Sequence, residues 1–301
     1  MPYDPQFIAG CNIPLPTLAP RVKAVAFNGG LPIEHLRFSI IFNQERGFAV
    51  TTAHNIDGRT LIPKGIIKRK DSFRFDTKVP NHIQIDNDQG YKGVPNQEDN
   101  PWDRGHLVRR RSMHWGTEAE ARIADKDSYF WTNIVPQHEK LHDTAWGKIE
   151  DFMLKTADDA NKKACVFQGP VLTPDDPLHT NQPGEDPFQI PAGFWKIFCI
   201  KHQNKLRAAC FLVWQRDFDE LEMTFDPVLE QVRITTIEYL TGLAFAEDIR
   251  EADALRFDES GQPLVAGTQA ATIREVMTRR RTVTPSRQAG GAIRLREDIY
   301  L

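Results

Sequence analysis

The chain has 301 residues, 40% of them hydrophobic, and a formal net charge of -3. That is enough apolar material for a full core in one large domain or two small ones, and the balance argues against a nucleic-acid coat protein. Any attraction to phosphate must come from local patches. No apolar run reaches transmembrane length and no basic region followed by an apolar one opens the chain, so a cytoplasmic location is expected.

Residues 1–32 are rich in Pro and Gly, and Pro14, Pro16 and Pro20 predict an arm laid over a domain, or a linker. Residues 35–43 (HLRFSIIFN) and 47–53 (GFAVTTA) predict a hairpin turning through Gln44-Glu45-Arg46. Residues 59–100 are mixed, with a basic patch at Lys64, Lys68, Arg69 and Lys70 ahead of a polar loop. Leu107-Val108 continues a short strand out of Asp103-Arg104-Gly105-His106 toward Arg109-Arg110-Arg111, 118–124 is a short helix, and 129–135 (YFWTNIV) reads as a strand. From Thr144 to about Lys163 the pattern is helical, with Trp146, Ile149, Phe152 and Met153 on one face.

A strand at 165–172 leads into a loop over 173–191 that holds five prolines. Residues 194–200 and 206–214 flank a tight turn and predict a second hairpin. A short helix at 235–240 carries a capping box of Thr235 and Glu238, with Gly242 placed to end it. The four cysteines show no metal spacing, and Cys199 and Cys210 lie on adjacent apolar runs, as buried thiols do. Mixed strands and helices without alternating βαβ units argue for an α+β fold. The expected domains are a Pro-rich arm at 1–32, one folded domain at 33–257 and a basic, flexible tail at 258–301 that contains Arg279-Arg280-Arg281.

Residues 102–150 concentrate the chemistry. His106 follows Gly105, which admits close backbone approach, and Arg104, whose planar fork suits phosphate oxygens. Asp103 can orient a base or an arginine. An imidazole near neutral pKa suits proton abstraction from water. Asn133 can orient His106, reach a phosphate or serve as a structural amide.

Asp103 to His106, TNIVPQ at 132–137, and Trp146 and Glu150 at these intervals resemble the DNA/RNA non-specific endonuclease family with its ββα-metal active site. Tyr3-Asp4-Pro5 with Pro14-Leu15-Pro16, the stretch 38–58 ending Asn55-Ile56-Asp57-Gly58, 72–76, Phe194-Trp195-Lys196 and EYLTGLAF at 238–245 extend the likeness over roughly residues 3–253. The resemblance implies a central, mainly antiparallel sheet with flanking helices and the ββα-metal element on one side. It implies His106 as general base and one divalent ion, usually magnesium, at the scissile phosphate. Glu150 matches the family's Glu that steadies metal-bound waters. Arg104, Arg109 and an upstream arginine, Arg69 or Arg74, are the candidates for holding phosphate.

Position 142 departs from the pattern, with His142 where the family has its Asn ligand. Imidazole favours softer ions, so manganese, nickel or zinc can compete with magnesium. On a continuous helix His142 and Glu150 would lie about 12 Å apart along the axis, which puts His142 on the ion and Glu150 one water away.

Two rival readings are printed in the same residues. His138, Glu139 and His142 form a literal H-E-x-x-H, the zinc-peptidase pattern when it lies on a helix. Pro136 and the preceding strand argue against such a helix, and Ala145 and Lys148 stand where an extended motif needs Gly and His. The other rival is an inactive nucleic-acid-binding relative. The partners implied are DNA and RNA, with activity gated by an inhibitor, by homo-oligomerisation or by regulatory domains of a longer parent protein.

Overall fold

The computed structural model describes residues 1–91, 102–143, 145–159, 162–181, 184–215 and 229–256. The expected tail at 258–301 lies outside them. The first 32 residues hold a short strand β1 (Thr17–Leu18) and helix α1 (Pro20–Val25), which has a proline in its first turn. There the missing N–H costs no helical hydrogen bond. β2 (Ile33–His35), β3 (Phe38–Asn43) and β4 (Phe48–Asp57) follow as an antiparallel meander with a bulge between Ile41 and Phe42. The β3–β4 turn is made by Asn43, whose Oδ1 accepts the N–H groups of Glu45 and Arg46 at 3.0 Å, and by Gly47 at φ 72°.

A four-residue helix α2 (Asn87–Gly90) precedes β5 (Trp102–His106), and helix α3 (Glu118–Asp127) separates β5 from its partner β6 (Ile134–His138). Helices α4 (Glu139–Asp143) and α5 (Ala145–Asp159) come next, then β7 (Lys163–Val171). The proline-rich stretch holds a small β8 (Leu178–His179) and β9 (Phe188–Gln189) pair. The second hairpin is β10 (Gly193–His202) with β11 (Lys205–Trp214), and β12 (Leu229–Val232) adds to β11. Helix α6 (Ile234–Thr241), strand β13 (Leu243–Ala244) and helix α7 (Glu247–Glu251) close the described chain.

Among the described residues the main sheet has seven strands in the order β12-β11-β10-β7-β4-β3-β2, every neighbouring pair antiparallel. The fold is α+β, and β5–β6–α5 forms the ββα element on one side. The sheet is covered on both faces. One takes Phe194, Phe198, Val166 and Phe211 against Trp146, Ile149 and Met153 of α5. The other takes Trp195, Ile197, Phe167 and Cys210 against Tyr3, Ile8 and Ile13 of the N-terminal arm and Ile237 and Ile249 of α6 and α7. Double coverage explains why β7 and β10 read as near-continuous apolar runs rather than as alternating ones.

The arm is strapped down. Tyr3 Oη donates to Ile13 O at 2.6 Å, Asn55 exchanges hydrogen bonds with the Asp4 backbone at 2.7 and 3.2 Å, and β1 pairs with β13.

Three local expectations need correcting. Residues 129–135 are not one strand: Trp131–Asn133 is a 3-10 turn, and the strand runs later, through Pro136 to His138. Proline is tolerated because, among the described residues, β6 pairs with β5 alone. The strand out of Asp103 ends at His106, not at Val108. Helix α6 has no capping box. It starts at Ile234, whose N–H is received by Asp253 Oδ2 at 2.9 Å, while Glu238 accepts the Phe245 N–H at 2.7 Å. Gly242 does end it, at φ 73°.

The cysteines are thiols, and Cys199 faces Cys165 across β7–β10 rather than Cys210. Burial pushes the Cys165 thiol up to about 12. No described helix is long and apolar enough to cross a membrane.

Helix α5 docks its C-terminal end against Gly58, just after β4. A Cβ there would lie 1.9 Å from Ala157 O and 2.8 Å from Lys162 O, both backbone atoms. Gly58→Ala is therefore expected to cost about 1–3 kcal/mol by overpacking, read as a lower midpoint in denaturant unfolding with unchanged slope. An unshifted midpoint would contradict this account of how α5 is seated.

Candidate active site

β5 and β6 set the site in register, with His106 opposite Ile134, Gly105 opposite Val135 and Trp102 opposite His138. A Cβ on Gly105 would fall 2.3 Å from the Gln137 side chain, which is fully buried. The close approach that Gly105 permits is thus to Gln137. His106 is half-buried beside an aromatic wall, its ring 5.0 Å from Tyr129 in an edge contact and 5.6 Å from Phe73. Phe73 stacks on Trp131 and Trp131 on Tyr91 at 5.2 and 5.7 Å.

Asn133 resolves into a structural amide. It is fully buried; its Oδ1 accepts Val108 N–H at 2.8 Å, and its Nδ2 donates to Val108 O at 3.0 Å and Ser128 O at 2.8 Å. The backbone of Asn133 also accepts the Leu107 N–H at 2.9 Å. Both N–H groups and the carbonyl of the amide are used on backbone, so Asn133 pins the chain just past His106.

Glu150 projects from α5 and is 9% exposed. Its Oε1 lies 2.9 Å from Lys196 Nζ on β10, and its Oε2 lies 3.4 Å from Arg109 Nε. Arg109 also reaches Asp151 at 2.6 Å on the solvent side. Lys196 is 2% exposed; its ammonium donates to Leu107 O at 3.3 Å and to Gln168 Oε1, and it lies 4.7 Å from the Trp146 ring centroid. Burial draws Lys196 below the ordinary lysine range, and Glu150 opposes that shift.

Gln168 hands its other end to His54 Nδ1 at 3.3 Å. Burial, with Lys196 nearby, brings His54 down from 6.5 to about 3, so it is neutral at physiological pH.

The upstream arginines separate by their partners. Arg74 lies over the Phe130 ring at 4.0 Å and donates to Ser72 O, Lys126 O and Asp127 at 3.3, 2.5 and 3.3 Å. Those bonds tie a loop to the end of α3. Arg69 is exposed and pairs with Asp71 at 2.7 Å, and Asp71 in turn accepts Tyr129 Oη at 3.3 Å beside His106. Burial raises Asp71, but the bond and charge of Arg69, with the Tyr129 bond and the Arg104 charge, together outweigh it and hold the carboxyl below the ordinary range. Arg104 lies over Phe73 at 4.8 Å and donates to Asn87 Oδ1 at 3.0 Å. The structure thus gathers His106, Arg104, Arg69 and the Glu150–Arg109 pair around β5, and assigns Arg74 to packing.

The backbone of His142 lies in α4, and its imidazole is outside the described side chains. His138 is in β6, and its Nδ1 accepts the Lys140 N–H at 3.2 Å, capping α4. The two histidines of the H-E-x-x-H string therefore do not sit on successive turns of one helix, and the zinc-peptidase reading has no geometry behind it. Among the described residues no three His, Cys, Asp or Glu side chains group as a metal cluster. Lys196, Gln168, His54 and Tyr129 were not anticipated as parts of this site. The one available signal was a lone lysine inside the apolar run FWKIFCI.

A family model described as DNA/RNA non-specific endonuclease matches residues 21–252. The chain belongs to that family. It is 33% identical over 277 residues to the uncharacterized protein y4fB of Sinorhizobium fredii, an alignment covering 84% of this chain and 40% of that protein. It is 28% identical over 138 residues to a nuclease of Serratia marcescens, covering 42% of this chain and 47% of that one. The chain thus spans less than half the length of these curated relatives. A crystal structure of the EndoG/EndoGI complex shares the fold at TM-score 0.53 and 13% identity, covering 80% of this chain and 93% of that one.

Two outcomes are expected here. Asn133→Ala leaves one buried N–H and two buried carbonyls short of a partner and should cost about 2–4 kcal/mol in equilibrium unfolding. A loss within experimental error would show that water replaces the amide. Between pH 6.5 and about 3 the unfolded chain binds a proton at His54 that the folded chain refuses, so His54 removes stability as pH falls through that window. The slope approaches about 1.4 kcal/mol per pH unit. His54→Gln should flatten the stability profile over that range, and parallel profiles would refute the assignment.

Proposed function

We propose that the chain is a sugar-non-specific endonuclease that hydrolyses phosphodiester bonds of DNA and RNA with a His general base and one divalent ion. The observation that carries this reading is the tie between the two halves of the site. Lys196 bonds both the residue after His106 and the carboxylate of Glu150, so the β5 base and the α5 carboxylate are held as one unit.

His106 takes the proton of the attacking water, and the aromatic wall of Tyr129 and Phe73 limits its ring orientation. Arg104 and Arg69, with Arg109 on the far side, supply positive charge for the phosphate oxygens.

The donor set suits an ion held by few protein atoms. Glu150 meets two cations, one on each oxygen, which favours a role as acceptor for the ion's waters over direct ligation. His142, at the start of the helical segment, would provide the direct ligand. The ion, magnesium with manganese, nickel or zinc competing, would neutralise charge developing at the scissile phosphate. The EndoG structure is of an inhibited complex. By analogy, activity here is gated by a protein inhibitor, by self-association or by flanking domains of a longer parent.

Plasmid DNA and RNA incubated with each divalent ion test the reading. Cleavage of both is expected, with His106→Ala slower by about 10²–10⁴-fold, the usual worth of a general base. Binding without cutting in every metal would instead identify an inactive relative. His142→Asn should move the metal preference toward magnesium, and identical metal profiles for the two proteins would remove His142 from the ion.

A further inference from the structure

We propose that Lys196 is a positioning residue of this site: it clamps Glu150 to the end of the His106 strand and keeps that carboxylate one water away from the cation. The inference rests on the reading of Glu150 just given and adds a residue from the central sheet to it.

Lys196 lies mid-strand in β10, flanked by Trp195 and Ile197, on the face where its neighbours along the strand are Phe194 and Phe198. An ammonium in such a place is tolerated only with its charge paired and its N–H groups used. It has three acceptors, and each comes from a different element: Glu150 Oε1 on α5, Leu107 O beyond β5 and Gln168 Oε1 on β7. Trp146, one turn before Glu150 on α5, lies beside the same charge. The acceptors that satisfy this ammonium come from the two elements that carry the base and the carboxylate, so one group ties those elements together.

Charge decides the second half of the proposal. Glu150 between Lys196 and Arg109 is a carboxylate with two cations, formally +1 in sum, which opposes direct attachment of a dication. Arg109 is partly exposed and shared with Asp151, so solvent weakens its hold. Lys196 is the buried partner and the firmer restraint. Without it, Glu150 has a freed oxygen and no tether to Leu107.

The experiment compares wild type with Lys196→Met, Glu150→Gln and the double variant. Mn²⁺ binding to each protein alone is measured by calorimetry, kcat and the Mn²⁺ activation constant on plasmid DNA, and folding by thermal melt. Lys196→Met should lower kcat by about 10–100-fold, the usual cost of losing support behind a metal site, while tightening Mn²⁺ binding as the freed carboxylate oxygen reaches the ion. The double variant should match Glu150→Gln in both readouts, because Lys196 acts through Glu150. This comparison stands even if Lys196→Met alone fails to fold, since the double variant removes both buried charges together. Unchanged or weaker Mn²⁺ binding in Lys196→Met, or a double variant well below Glu150→Gln in kcat, overturns the role of Lys196. Wild-type kcat and Mn²⁺ binding in Glu150→Gln would instead remove Glu150 from the metal site, and the proposed function's account of it would fail first.

Discussion

A lysine ammonium placed between two apolar layers costs several kcal/mol unless a counter-charge and hydrogen-bond acceptors surround it. At Lys196 they do, and they arrive from α5, from the chain beyond β5 and from β7. Glu150 of α5 and Lys196 of the sheet each cover the other's buried charge, so the packing of α5 on the sheet and the pairing across the candidate site go together. The neutral His54 and the Gln168 amide belong to the same requirement, since a second positive charge beside Lys196 would be repelled.

The site is built in two tiers. Behind His106, Asn133 holds the backbone with a buried amide, and the buried Gln137 side chain packs close against Gly105. In front, Arg104, Arg69 and Arg109 sit at or near the surface, each with a weak or solvent-side partner, as the proposed contact with phosphate requires. That division fits recognition of phosphate and sugar rather than of base edges. The acidic overall balance of the chain leaves these local cations as the source of any attraction.

Much of the architecture was legible in the residues. The two hairpins, the α5 face of Trp146, Ile149 and Met153, and the Gly242 stop follow from periodicity and turn chemistry acting over a few residues. The errors share one cause: the missing partners lie far along the chain. Thr235 does not cap α6 because Asp253 supplies the acceptor. Residues 129–135 turn before they extend because Asn133 is used by Val108 and Ser128. Arg74 and Arg69 look alike in the sequence and differ only in that Phe130 and Lys126 are folded against Arg74.

The sequence by itself determined which groups the chain offers to the proposed phosphodiester chemistry, because His106, Arg104, Glu150 and their intervals are local facts. It also argued against a helix through both His138 and His142, since Pro136 and the preceding strand come directly before them, and the structure places His138 in β6. Only the tertiary structure decided how those groups are used. Whether an amide serves substrate or backbone, whether an arginine is committed or available, and whether a carboxylate can meet a metal directly all depend on neighbours across the fold. Lys196 is the plainest case. It is one lysine in an apolar strand until α5 and the end of β5 fold against it, and then it is the charge that joins them.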